Sequence, residues 1–123
     1  MPLKLLLDEN LRDQALWSAI QVYNASGKEP LDIVRVGGEQ APPIQSTDDA
    51  LILWAAEQDR ILVSRDVTTL QIHLDAYLRN NAHSPGVVFL RRDLNVAEMI
   101  GWLELICYGS SADRWTDRCE WLP

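Results

Sequence analysis

No stretch of this chain stays apolar for the ~20 residues that a membrane-spanning helix needs, which excludes that class of fold. The apolar start at Leu5–Leu7 is too short for the core of a secretory signal and runs straight into acids. Cysteine is scarce. Cys107 and Cys119 are too few and too loosely spaced for a zinc site or a disulfide framework, which points to a reducing cytoplasm. The two histidines, His73 and His83, have no partner at metal-ligand spacing, and surface or core-edge roles suit both. Fixed-period repeats and low-complexity segments are absent. Basic residues are also in deficit, with 11 Lys and Arg against 18 Asp and Glu, a net charge of -7. Residues 1–60 hold ten acids against five basic groups, and residues 61–123 hold eight against six. A chain of this sign repels nucleic acid as a simple phosphate-binding module. It leaves open an enzyme whose acids hold a divalent cation that itself meets the phosphate.

What is present is a pattern of one domain over residues 1–123, 47% hydrophobic and large enough to bury roughly two-thirds of its unfolded surface. "LKLLL" at 3–7 has the length and character of a buried strand. Asn10 is placed to cap a first helix, whose stripe is Leu11, Ala15, Ala19 and Tyr23 with Leu16 and Ile20 beside it. "LDIVRV" at 31–36 alternates as a strand, and "GGEQAPPIQS" is a loop by composition. Ser46 and Asp49 have capping-box spacing at the start of a second helix. "RILVS" at 60–64 and "GVVFL" at 86–90 are two further buried strands, separated by a helix with the stripe Leu70, Leu74, Tyr77, Leu78. Asn95 and Glu98 cap a fourth helix, with Met99, Leu103 and Ile106 inward and Gly109 as its stop. The tail at 110–123 spaces Trp115, Cys119 and Trp121 as a short edge strand. Near-continuous apolar strands alternating with helices predict a three-layer α/β fold, a parallel sheet of four to five strands with helices on both faces. Strand 3–7 is expected between strands 31–36 and 60–64. In such sheets the functional crevice lies beyond the carboxyl ends of the strands, where strand order switches.

Two of those strands end in acid. Asp8 follows "LKLLL" and Asp66 follows "RILVS", while Asp48 opens the second helix. Singly, each has an ordinary explanation, since acids near a helix N-terminus gain ~0.3–1 kcal/mol from its dipole. Together they are hard oxygen donors just after strands or at a helix start, positions that can all face one edge of the sheet. Carboxylates gathered in this way raise one another's pKa unless a cation or proton is shared. With no Cys or His among them, Mg²⁺ or Mn²⁺ is the suitable ion.

The ordered set "LLLDENL", "STDDALILWA", "RILVSRD" and "PGVVFLRR" resembles the short PIN-like domains, relatives of the PIN-domain ribonucleases found as toxins in toxin–antitoxin pairs. The resemblance covers about residues 3–106. It implies a Mg²⁺- or Mn²⁺-dependent endoribonuclease with Asp8, Asp48 and Asp66 as catalytic metal ligands. Asn10 and Ser64 match the family's supporting polar residues, and Glu9 stands beside them. RNA would be the substrate and a cognate antitoxin the protein partner. Family members commonly carry a further acid two residues after the third; here that position is Thr68, which implies weak metal affinity and slow turnover.

Three further readings follow from the residues. Arg65, Arg91 and Arg92 lie at strand carboxyl ends, either as solvated edge charges or as contacts to a nucleic-acid backbone. Trp115 and Trp121, in a polar tail, are candidates for burial against the domain or against a second copy in a homodimer. The chain also compares with phospho-accepting receiver domains, with Asp8 and Glu9 paired and Asp66 as acceptor. It has no lysine after Lys28, though, and "GVVFLRR" ends without the Ser or Thr that would hold a phosphoryl group. A catalytically inactive PIN-like interaction domain is the remaining alternative.

Overall fold

Strand and helix alternate from end to end: β1 (Lys4–Leu7), α1 (Gln14–Asn24), β2 (Asp32–Arg35), α2 (Asp48–Glu57), β3 (Arg60–Ser64), α3 (Leu70–Arg79), β4 (Val87–Phe89), α4 (Val96–Tyr108) and β5 (Cys119–Trp121). Short 3-10 turns at Glu9–Leu11 and Ala112–Arg114 lead into α1 and β5. These elements come from a computed structural model, which describes residues 2–66 and 69–123. Thr68 lies outside the described residues. No helix among them is long and apolar enough to cross a membrane.

All five strands run parallel in the order β2-β1-β3-β4-β5. β1 lies between β2 and β3, as the apolar patterning predicts. Its side chains alternate between two cores. Leu5 and Leu7 join Ile61 and Val63 under α1 and α4, whereas Leu6 joins Leu62 under α2 and α3. Both faces of the sheet are therefore covered, which is why β1, β3 and β4 tolerate apolar residues at every interior position. The chain leaves β1 for β2 on one side and returns to β3 on the other. The switch in strand order thus falls between β1 and β3.

Local caps differ from expectation at two helices. α1 begins three residues later than Asn10 implies, because Asp13 accepts from the Ala15 N–H and is the true cap. Asn10 belongs instead to the 3-10 turn. Thr47, not Ser46, caps α2 by accepting from Ala50, while the Ser46 hydroxyl donates to the Pro43 carbonyl. The Asn95–Glu98 capping box forms in both directions as expected.

The tail closes the sheet. β5 adds as a parallel edge strand beside β4, with Val87, Val88 and Phe89 in register with Cys119, Glu120 and Trp121. Trp115 is 4% exposed within the α1/α4 core and donates its indole N–H to Ser110. Trp121 is 56% exposed and tilts its ring over Phe89 at 5.2 Å. The Trp115 backbone also presses on Gly86, where φ is +122° and a Cβ would meet the Trp115 carbonyl at 2.4 Å. Trp115→Ala should therefore cost about 3–5 kcal/mol of unfolding free energy, the range for a buried aromatic. Trp121→Ala should cost roughly 1 kcal/mol, as for a half-exposed ring pair. Urea titration of both variants checks this, and equal losses would mean that the tail is anchored elsewhere.

Candidate functional site

Asp8 continues β1 by one residue, its N–H donating to the Val63 carbonyl. Leu7 pairs with Val63, so the next pair along the ladder is Asp8 beside Ser64. Period-two alternation turns both side chains to the face that Leu6 and Leu62 occupy, toward α2 and α3. The Asp8 carboxylate is buried at 7% exposure and accepts from the Ser64 hydroxyl at 2.7 Å and from the Glu9 N–H at 2.6 Å. Ser64 is itself fully buried, and its Oγ accepts from Asn10 Nδ2 and from the Asp66 N–H, each at 3.0 Å. Asn10 completes the link through its Oδ1, which accepts from the Arg65 N–H at 3.1 Å. One hydroxyl therefore ties together the ends of β1 and β3.

The electrostatics are those of crowded acids. Burial pushes the Asp8 carboxyl above its ordinary value, and the negative charges of Asp48 and Asp66 push it further in the same direction. The hydrogen bonds from Ser64 and Glu9 act against this without reversing it. Asp48, the first residue of α2, accepts from the Thr69 hydroxyl at 2.5 Å and lies 4.0 Å from His73 Nε2. The other nitrogen of His73 is 2.8 Å from Asp49. The three predicted acids thus share a field at one end of the sheet. Among the described residues no group of three or more His, Cys, Asp or Glu side chains converges as a cation cage. The donor set still suits a hard divalent ion: it is all oxygen, partly buried, and carries repulsion that a cation would relieve.

Beside the acids lies a shallow cleft of about 360 Å³, lined by Asn10, Arg65, Asp66 and Arg92. Alternation at the end of β3 sends Arg65 to the α4 face, opposite Ser64, where its Nη2 is 3.0 Å from the Met99 sulfur. Its Nε is buried without a hydrogen-bond partner among the described residues. A thioether is a poor acceptor for a guanidinium, so the group retains donor capacity for an anion. Arg91 is placed differently. Asp93 clamps it, with Nε to Oδ1 at 2.9 Å, and it lines a separate cavity along α4. Glu9 also turns aside, accepting from the Gln45 N–H at 2.6 Å and pinning the loop after β2.

Thr69 and His73 are the partners of Asp48 that reading the chain alone does not find. Their contact depends on α2 and α3 lying side by side, for which no local signal exists. His83, like His73, meets an acid, pairing with Asp117 at 2.8 Å. Comparison of the chain with protein-family models, with characterised proteins and with solved structures finds no match.

The raised Asp8 carboxyl has a signed consequence. An acid whose pKa is higher folded than unfolded costs stability when ionised, and that cost fades as pH falls toward the unfolded value near 3.9. The melting temperature of Asp8→Asn minus that of the wild type should therefore be most positive near pH 7. It should become less positive as pH drops through the acid range. Thermal melts of both proteins across that range measure it, and a difference that grows more positive in acid would contradict the burial argument.

Proposed function

We propose that this chain is a PIN-like, metal-dependent endoribonuclease that hydrolyses RNA phosphodiesters. The observation that carries the reading is the buried Asp8 carboxylate in the field of Asp48 and Asp66, at the strand-order switch. Asp8, Asp48 and Asp66 would hold Mg²⁺ or Mn²⁺, which when bound supplies charge neutralisation and water activation. Ser64 and Asn10 orient Asp8, and Arg65 and Arg92 offer guanidinium donors to the backbone phosphates on either side of the scissile bond. The acids otherwise repel the substrate, so the cleft is selective for conditions in which their charge is neutralised. In its cellular setting the reading extends to a cytoplasmic toxin component held by a cognate antitoxin.

A second reading, a PIN-like domain without activity that binds a partner, is favoured by one observation. Among the described residues no three acids converge as a cation cage, and Asp48 spends its Oδ2 on Thr69, with His73 also near that oxygen.

The deciding assay uses labelled single-stranded RNA with Mn²⁺ or with chelator. Asp8→Asn should lose more activity than the roughly 10–100-fold that removal of a supporting partner costs, and Ser64→Ala should fall within that range. Arg65→Met should raise KM more than it lowers kcat. Cleavage that survives chelator or Asp8→Asn unchanged would remove the nuclease reading and leave the binding domain.

A further inference from the structure

α4 carries only two charges in 13 residues, Glu98 and Glu104. A helix so apolar all round is ordinarily buried all round. Here one face fills the core through Met99, Leu103 and Ile106, while the opposite face is left open. Gly101, Leu105 and Tyr108 follow one another along that open face at helical spacing, and Leu105 is 46% exposed. Gly101 lines the larger of two adjoining cavities and leaves open space, since a Cβ added there would meet nothing within 4 Å. Two cavities of about 820 and 450 Å³ adjoin along this face, sharing Trp102, Leu105, Gly109 and Pro123 in their walls. Exposed Trp121 lines the second.

The charges at the rim say what can cover this surface. Glu29, Glu98 and Glu104 line the larger cavity, and its one lining cation, Arg91, is already held by Asp93. Glu104 also accepts from the Tyr23 hydroxyl, whose pKa is pushed up to about 12 mainly by that bond. Lys28 lies over the Tyr23 ring at 5.1 Å, and Arg114, which lines the second cavity, is paired with Glu120 at 2.8 Å. A second copy of the chain would bring a molecule of net charge -7 against this acidic rim. Like charges juxtaposed in this way disfavour self-association.

We infer that the open face of α4 is a docking groove for an amphipathic helix of another protein, one whose apolar stripe is flanked by Lys or Arg. The apolar residues seat at i, i+3 and i+4 spacing over Leu105 and the open space above Gly101, and the flanking cations meet Glu98, Glu104 and Glu29. The site is separate from the carboxylate cluster at the end of β1 and does not depend on its chemistry.

A designed helical peptide of about 18 residues, five turns, built of Leu and Lys in an amphipathic pattern, serves as the probe. Its Glu-for-Lys counterpart is the control. Calorimetric titration should show saturable binding of the Lys peptide, at least about tenfold tighter than the Glu peptide. Gly101→Lys and Leu105→Lys should each weaken it by about tenfold or more, a difference of about 1.4 kcal/mol. Gly101→Lys adds a residue of better helix propensity into open space, so its melting temperature should hold or rise. Binding that is absent, or equal in Gly101→Lys and the wild type, overturns the inference. So does sedimentation showing a wild-type dimer that Leu105→Lys converts to a monomer, because a second copy would then be the occupant.

Discussion

The pairing of β1 with β3 is the contact on which the rest of the molecule is built. It joins segments more than fifty residues apart, Leu5, Leu6 and Leu7 lying alongside Ile61, Leu62 and Val63. All six side chains are nearly or fully buried. Because the ladder is parallel, residues in register point to the same face, and the two cores are sorted by parity along both strands at once. A one-residue slip would drive Asp8 into the α1/α4 core and bring a leucine to the cleft. Register here is enforced by apolar burial, and the polar site inherits its geometry from that enforcement.

The cost of this arrangement is concentrated in Asp8. A carboxyl group with little solvent access is tolerated because the Ser64 hydroxyl and the Glu9 N–H hydrogen-bond to it from within the protein. The Ser64 oxygen in turn accepts from Asn10 and from the Asp66 backbone, while its one proton is donated to Asp8. The network is directional, and every donor in it comes from the carboxyl end of β1 or β3. Asp48 arrives from α2, and Thr69 from the residue preceding α3, so the site also reports how those two helices pack on the sheet.

Much of this was legible in the chain. Buried strands at 3–7, 31–36 and 60–64, the capping box at Asn95 and Glu98, and the acids at strand ends follow from periodicity and from chemistry local to a few residues. Other assignments needed the fold. Asn10 reads as a helix cap and is instead the bridge from Ser64 to Arg65. Arg65, Arg91 and Arg92 look equivalent as basic residues after strands. Alternation and neighbouring acids separate them, since Asp93 takes Arg91 while Arg65 keeps a buried Nε without a partner among the described residues. Trp115 and Trp121 likewise stand six positions apart in one tail, yet the first fills the core and the second lies at the edge.

By itself, then, the sequence determined which segments are strands and helices, that the sheet is parallel, and that carboxylates collect at one end of it. These properties depend on side-chain period, on capping and on the apolar length of each run, all of which act over a few residues. Only the tertiary structure decided that Asp48 turns to Thr69 and His73, that Glu9 serves the loop at Gln45, and that α4 keeps an apolar face uncovered. Those outcomes depend on which distant elements become neighbours. That choice is made by the summed burial of the whole core and is written in no single stretch of chain.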